Sequence, residues 1–131
     1  MTDNLNKKSI LIVDDDVMSI CALKDIICSE FIVHAVKSGE EAIEKAKKIT
    51  PDVILLDVCM PQMDGYETIK LLKSSECTKD IPVIFISGCT TGREMEKGIA
   101  KGATDYISKP FTGDLIISKI NKIFENTQMH A

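Results

Sequence analysis

Short apolar runs alternate along this chain with segments in which apolar residues recur at helical spacing. The apolar runs, which predict strands, cover residues 10–13, 31–36, 53–56, 83–86 and, more weakly, 105–107. The helical segments cover residues 18–29, 40–49, 66–74, 94–101 and 114–124. Strands that are apolar without alternation, such as residues 53–56, need cover on both faces, which a parallel sheet between helices provides. The pattern therefore predicts an α/β domain with a doubly wound, five-stranded parallel sheet.

Residues near both ends of the second predicted helix indicate where it begins and where it must have ended. Ser38 can act as its N-cap, and Glu40 and Glu41 lie in its first turn, where negative charge is favourable. Pro51 prevents helical structure from continuing into the third strand. These signals support the proposed division into strand–helix units.

Composition limits the possible classes of function. The chain has 131 residues, of which 44% are hydrophobic and 27% charged, as expected for one globular domain with its own core. Its formal charge of −4 and its lack of a basic cluster argue against direct binding to nucleic acid. No apolar stretch approaches the roughly 20 residues that cross a bilayer, and residues 1–6 lack a signal peptide's hydrophobic region. We therefore expect a cytoplasmic protein with no membrane partner.

The five cysteines predict free thiols rather than a zinc or redox site. They are odd in number, widely spaced, and include no C-x-x-C pair. Cys28 and Cys77 are expected to be buried, because a free Cys usually acts as a small apolar residue.

Polar side chains stand at the carboxyl ends of the predicted strands. Asp14, Asp15 and Asp16 follow the first strand, and Asp57 follows the third. In open α/β sheets, ligands bind in the crevice at these ends. Asp is also a common turn and N-cap residue, so the acidic run has an ordinary structural interpretation as well. Three adjacent carboxylates nevertheless repel one another unless a cation neutralises them, and oxygen ligands suit the hard ion Mg²⁺.

Asp57 is the strongest single indication of chemistry, because a carboxylate directly after four apolar strand residues is poorly solvated and needs a partner. Mg²⁺ typically binds through one or two carboxylates together with substrate phosphate, so the acids of the first and third strands predict a phosphoryl ligand. Lys109 would add positive charge for that ligand, although a Lys considered alone is more often a solvated surface residue.

Four segments of the chain resemble the receiver domain of two-component response regulators. They are residues 10–16 (ILIVDDD), 56–65 (LDVCMPQMDG), 86–88 (ISG) and 102–111 (GATDYISKPF). Their order and their positions at strand ends make the resemblance specific. It extends over residues 8–125, with 1–7 and 126–131 as short tails, and it implies a flavodoxin-like sheet with strand order 2-1-3-4-5.

The resemblance implies a Mg²⁺ site and a phosphoryl acceptor. Asp57 would be the nucleophile that forms an aspartyl phosphate. Asp15 and Asp57 would bind Mg²⁺ directly, with the backbone carbonyl of Cys59 as a third protein ligand and Asp14 orienting a metal-bound water. Asp16 receives no chemical role and is expected to cap the first helix.

The resemblance also assigns roles around the phosphoryl group. Lys109 would supply positive charge, and a cis bond between Lys109 and Pro110 would aim its side chain at the site. Ser87 would donate its hydroxyl to a phosphoryl oxygen once Asp57 is modified. Tyr106 would then turn into the space vacated as an aromatic switch, although by itself it reads as a half-buried strand aromatic.

The implied partners are a phosphodonor and a downstream target. The donor would be the phosphohistidine of a histidine kinase or phosphotransfer protein, and the target or output domain would bind helix four, strand five and helix five. On helix one, the arc that can face the sheet consists of Ser19, Ala22, Leu23, Ile26 and Ile27. The apolar residues outside it are expected to form a docking patch for the donor, unless residues 2–7 cover them: Val17, Met18, Ile20 and Cys21.

Cys59 and Cys89 stand two residues after Asp57 and two after Ser87, where the family tunes access of the hydrolytic water. Both side chains are expected to face the site entrance. A thiol positions water poorly, so the resemblance leads us to expect slow to moderate dephosphorylation and sensitivity to oxidants. The alternative is that both are inert small residues.

Two other classes of protein are alternatives to a receiver domain. A Mg²⁺-dependent phosphatase of the haloacid dehalogenase type places its aspartyl nucleophile in a D-x-D motif on strand one and carries a substrate cap, whereas the best nucleophile here follows strand three. A flavodoxin-like flavin protein would need an uncharged phosphate loop after strand one, where this chain has three acids. A signalling domain, and not an enzyme with a separate substrate, is the leading prediction.

Overall fold

Five strands alternate with five helices in the computed structural model, which describes residues 7–88 and 92–129. The strands are β1 (Ser9–Val13), β2 (Ile32–Val36), β3 (Val53–Asp57), β4 (Val83–Ser87) and β5 (Asp105–Ser108). The helices are α1 (Val17–Ile27), α2 (Gly39–Ile49), α3 (Gly65–Lys73), α4 (Gly92–Ala100) and α5 (Gly113–Met129). None of these helices is long and apolar enough to cross a bilayer.

The strands form one parallel sheet in the order β2-β1-β3-β4-β5. Both the α/β class and the expected strand order are confirmed. Val13 pairs with Leu56, and Asp57 with Ile86, so the ends of the central strands lie side by side at one edge of the sheet. The direction of strand order reverses between β1 and β3, which makes this edge the expected position of a ligand crevice.

Helices cover both faces of the sheet, and each face buries its own apolar cluster. Successive strand residues point to opposite faces, so strands covered on both sides must be apolar throughout. The cluster facing α2 and α3 contains Leu11, Val13, Ile54, Leu56, Phe85, Ala42, Ala46, Ile69 and Leu72. The cluster facing α1 and α5 contains Ile10, Ile12, Leu55, Ile84, Ile86, Leu23, Ile27, Ile116 and Ile120.

The ends of the elements differ from the predicted ones by a few residues, because the apolar pattern does not show whether a terminal polar residue belongs to the element. The strands β3 and β4 each continue one residue further than predicted, into Asp57 and Ser87. Helix α1 begins at Val17, since the Asp16 side chain accepts a hydrogen bond from the N–H of Met18 and acts as N-cap. The capping roles expected for Asp16 and Ser38 are both confirmed; the Ser38 side chain accepts from Glu41 N–H.

Three predictions about apolar side chains are wrong. Ala22, expected on the arc of α1 that faces the sheet, is exposed. Ile20, expected on the exposed face of α1, is only 8% exposed and lies in the cluster facing α1 and α5. It shares one helical face with Leu23 and Ile27 because residues three and four apart lie above one another. Cys28 and Cys77, expected to be buried, are both exposed, since Cys28 caps the end of α1 and Cys77 lies in the loop after α3.

Candidate functional site

Three carboxylates meet at the carboxyl edge of the sheet. Asp14 and Asp15 directly follow β1, and Asp57 is the last residue of β3. One oxygen atom from each of the three side chains lies within 4.8 Å of the other two. Asp14 and Asp57 are buried, whereas Asp15 is exposed. The structure therefore brings together the acids of the first and third strands.

Backbone hydrogen bonds fix the chain around Asp14. Its N–H donates to the carbonyl oxygen of Val36 at 3.2 Å, which ties it to the end of β2. Its side chain in turn accepts a hydrogen bond of 2.9 Å from the N–H of Asp16. The carboxylate of Asp14 is thus held towards Asp57, while Asp16 is occupied at the start of α1.

The three carboxylates fit a hard divalent cation such as Mg²⁺, because every donor is oxygen and the cluster is rich in negative charge. Asp14, Asp15 and Asp57 are the side chains that would hold the ion, and no second group of this kind occurs among residues 7–88 and 92–129. The Cys59 backbone hydrogen bonds to the Asp57 carboxylate, which keeps that backbone beside the cluster. The role of the Cys59 carbonyl as a ligand stays a prediction.

Lys109 brings the positive charge of the site from the end of β5. Its Nζ lies 3.2 Å from Asp14 Oδ2 and 3.8 Å from Asp57 Oδ1, and its side chain is 27% exposed. The Lys109 N–H donates to the carbonyl oxygen of Ser87 at 2.8 Å, which anchors the residue to the end of β4. The bond between Lys109 and Pro110 is cis, as the resemblance implied.

Burial and charge shift the protonation of both partners. Burial raises the pKa of the Asp57 carboxyl to about 6, and the negative charge of Asp14 adds to this, while Lys109 opposes it. Burial lowers the pKa of the Lys109 ammonium, but the carboxylates of Asp57 and Asp14 more than reverse this, so its pKa is raised overall. Asp57 therefore carries a charge that its surroundings disfavour, and added positive charge would stabilise it.

Ser87 and Cys59 stand together near the acidic cluster. Ser87 is fully buried at the end of β4, and its Oγ lies 4.0 Å from the Sγ of Cys59. Cys59 is exposed, and the expectation that its side chain faces the site entrance stays a prediction. Cys89, the other cysteine expected there, lies outside the described residues.

Tyr106 packs in the core beside β4. Its ring is 4% exposed and lies 6.3 Å, edge on, from the ring of Phe85, two residues before Ser87. Tyr106 also lines a cavity of about 410 Å³ together with Met95 and Ile99 of α4. It thus connects the end of β4 to the surface formed by α4 and β5.

Two residues at the site were not predicted from the sequence. Ser19 was interpreted as part of the core-facing arc of α1, but Lys109 Nζ lies 3.4 Å from its Oγ. The sequence signal that could have identified Ser19 was its position three residues after Asp16, the N-cap of α1. Gly65 received no role in the sequence analysis, but a Cβ there would lie 2.6 Å from the carbonyl oxygen of Asp57. Only the capping pattern of Asp64 and Glu67 marked that helix start.

A parallel sheet in this order, with an acidic cluster and a lysine at its carboxyl edge, is the arrangement of a phosphoryl-accepting signalling domain. A family profile described as the response regulator receiver domain matches residues 10–121. The chain belongs to this family of two-component signalling domains.

Relatives of known type agree with this family. The chain is 34% identical over 95% of its length to a Vibrio cholerae protein named "Probable cyclic di-GMP phosphodiesterase", and 33% identical over 93% of its length to the cell cycle response regulator CtrA of Brucella ovis. It spans only 28% of the first and 52% of the second. The chemotaxis protein CheY4 of Vibrio cholerae is similar in structure, with a TM-score of 0.83, 28% identity, and coverage of 88% of this chain and 98% of that one.

Proposed function

We propose that Asp57 accepts a phosphoryl group from a phosphohistidine, with Mg²⁺ as the cofactor. The observation that carries this proposal is the convergence of Asp14, Asp15, Asp57 and Lys109 at the carboxyl edge of the sheet. A buried carboxylate among two other acids and one ammonium is a nucleophile that needs further positive charge. In phosphoryl transfer, the phosphorus atom is the electrophile. The negative charge on the phosphoryl oxygens adds to the requirement for positive charge at the site.

In the proposed reaction, a carboxylate oxygen of Asp57 forms a bond to phosphorus. The bond from phosphorus to the histidine nitrogen breaks, and the electron pair stays on the imidazole. Lys109 stabilises negative charge on the phosphoryl oxygens, and Asp14 and Asp15 hold the cofactor beside Asp57. Bound Mg²⁺ supplies positive charge that offsets the negative charge of the acids and the phosphoryl group.

Ser87 and Tyr106 carry the proposed response to phosphorylation. The Ser87 hydroxyl, at the end of β4, donates to a phosphoryl oxygen and draws the end of β4 towards Asp57. Tyr106 packs against Phe85 of the same strand, so a displacement of β4 reaches its ring. The surface that changes is the one formed by α4, β5 and α5, where Ile99 and Leu115 are exposed apolar residues. A downstream protein or an output domain would bind there.

The phosphatase alternative is less well supported than the receiver function. A D-x-D phosphatase would use an acid after β1 as nucleophile, whereas the buried carboxylate with the raised pKa is Asp57, at the end of β3. We infer that the protein only takes up a phosphoryl group and later hydrolyses its own aspartyl phosphate. We also infer that it works in the cytoplasm and does not contact nucleic acid directly.

Labelling with a small phosphodonor tests the proposal. Incubation with acetyl phosphate and Mg²⁺ should add the mass of one phosphoryl group to the intact protein, because a small donor needs no docking surface. Removal of Mg²⁺ with a chelator should reduce the rate by at least about 100-fold, since the acids then repel the donor. Equal labelling with and without the metal would contradict the proposed role of the acidic cluster.

We also propose that the start of α1 docks the phosphohistidine protein. Val17 and Met18 are 50% and 78% exposed, and Cys21 is exposed on the next turn, so apolar surface lies directly beside Asp14 and Asp15. Replacing Met18 with Glu should slow transfer from a phosphorylated histidine phosphotransfer protein at least about ten-fold, because a charge would be desolvated in the interface. Labelling by acetyl phosphate should stay within about two-fold of wild type.

Ser29→Glu is the matched control, because it adds the same charge at an exposed position beyond the other end of α1. It should alter neither reaction. If Met18→Glu slows both donors equally, the start of α1 supports the fold or the site and is not a docking surface.

A further inference from the structure

The first turn of α1 places Ser19 between Asp16 and Lys109. The Ser19 hydroxyl donates to Asp16 Oδ2 at 3.2 Å, and Lys109 Nζ lies 3.4 Å from the same Ser19 oxygen. Asp16 is itself fixed as the N-cap of α1, because its Oδ1 accepts from the N–H of Met18 at 3.1 Å. The helix therefore presents a hydroxyl oxygen to the lysine, and no step described above uses it.

Lys109 Nζ has oxygen neighbours on three separate parts of the chain. They lie at 3.2 Å on Asp14, 3.4 Å on Ser19 and 3.8 Å on Asp57. The two carboxylates take part in the phosphoryl site, so their interactions change when a cation or a phosphoryl group arrives. Ser19 is neutral and is held by its helix. Because an ammonium has three donors, the Ser19 contact can persist while the other two change.

We propose that Ser19 is a positioning residue that holds the ammonium of Lys109 in place for phosphoryl transfer to Asp57. A Lys side chain has a flexible four-carbon stem, and a charge that is already in place needs little reorganisation during the reaction. Ser19 acts only through Lys109. The proposal deepens the proposed function and rests on Asp57 being the acceptor.

Ser19→Ala tests this role, because it removes the hydroxyl and favours the helix. At saturating Mg²⁺, the rate of labelling by acetyl phosphate should fall about five-fold, as expected for the loss of one hydrogen bond to a charged group. Ser19→Thr, which keeps the hydroxyl, should restore the rate to within about two-fold. Ser118→Ala, at an exposed position on α5, should leave the rate unchanged.

A double variant separates positioning from a general structural effect. In a Lys109→Met background, Ser19→Ala should cause no further loss, because no ammonium remains to be held. A second measurement avoids activity altogether. In the Mg²⁺-free protein with ¹³C-labelled lysine, the Cε signal of Lys109 should move towards that of exposed lysines in Ser19→Ala and keep its position in Ser19→Thr.

The outcomes distinguish this inference from the proposed function. An unchanged rate in Ser19→Ala, the same loss in the Lys109→Met background, or failure of Ser19→Thr to restore the rate would each overturn the role of Ser19. In all three cases the proposed function would stand as long as the wild-type protein is labelled on Asp57. If the wild-type protein takes up no phosphoryl group at all, the proposed function fails, and the role of Ser19 fails with it.

Discussion

Replacing Asp57 with Asn is expected to stabilise the Mg²⁺-free protein at neutral pH by about 1–2 kcal/mol, after allowance for solvent screening, although it removes the proposed acceptor. Burial, and then the charge of Asp14, raise the pKa of the Asp57 carboxyl to about 6. At pH 7 the folded protein therefore bears a charge that the unfolded chain bears more easily. Asn has nearly the same shape and no charge, so the variant avoids this cost.

The gain should develop between about pH 4 and pH 6 and persist at higher pH. An Asp in an unfolded chain has a pKa near 3.9, so between about pH 4 and pH 6 the folded protein binds the Asp57 proton more strongly than the unfolded chain does. The contribution of Asp57 to the free energy of unfolding therefore falls as the pH rises through this window. Below about pH 4 the carboxyl is protonated in both states, and the advantage of Asn disappears.

Urea unfolding at several pH values, without Mg²⁺, measures this effect. Asp25→Asn serves as the control, because Asp25 is exposed on α1 and its replacement should change stability little. A gain of equal size at pH 4 and pH 7 would show that hydrogen bonding or packing, and not charge burial, determines the difference. A loss of stability at pH 7 would contradict the unfavourable surroundings inferred for the carboxylate.

Gly65→Ala is expected to damage both stability and phosphorylation. A Cβ at this position would lie 2.6 Å from the carbonyl oxygen of Asp57 and 2.7 Å from the Cα of Val58, and neither backbone atom can rotate away. The N–H of Gly65 also donates to the carbonyl oxygen of Val58 at 2.8 Å, so the helix start and the strand end are bound together. We expect a loss of about 2–3 kcal/mol from overpacking. Displacement of Asp57 should slow labelling by about 10- to 100-fold.

Gly113→Ala is a closely matched control for Gly65→Ala. Gly113 is also the first residue of a helix, but a Cβ there would meet only side-chain atoms of Ile26, at 3.6 and 3.7 Å. This contact is ordinary, so stability should change by less than about 0.5 kcal/mol. If Gly65→Ala behaves like Gly113→Ala in melting temperature and labelling rate, close packing of α3 on the acceptor backbone is not required.

The fold could be predicted from the sequence because its strands are covered on both sides. Residues 53–56 are apolar without interruption, and a parallel sheet between two helical layers accommodates such a strand, while the helical segments between the strands supply those layers. The predicted strand ends were less accurate, since Asp57 and Ser87 are polar and still belong to β3 and β4. Strand order came from the resemblance, because periodicity within a strand contains no information about its neighbours.

The candidate site could be predicted only in part. The acids are neighbours in sequence or follow strands, so their meeting at one edge follows from the topology. The position of Lys109 after β5 places it at the same edge, but its contact with Asp14, 95 residues away in the chain, and with Ser19 depends on side-chain conformations that the pattern does not contain. The burial of Ile20 was not predicted because the core-facing arc of α1 was placed at the wrong position around the helix. In the structure, Ile20 faces the layer shared with α5. Ser19 was missed for the same reason.

The measurement that bears most directly on this protein's function is to locate the phosphoryl group after labelling with acetyl phosphate and Mg²⁺. Mild proteolysis and tandem mass spectrometry of the labelled wild-type protein should place the group on Asp57 alone. Treatment with hydroxylamine should remove it, as expected for an acyl phosphate. The Asp57→Asn variant should gain no phosphoryl mass under the same conditions. A stable phosphoryl group on Ser87 or another hydroxyl, or full labelling of Asp57→Asn at the wild-type rate, would contradict the assignment.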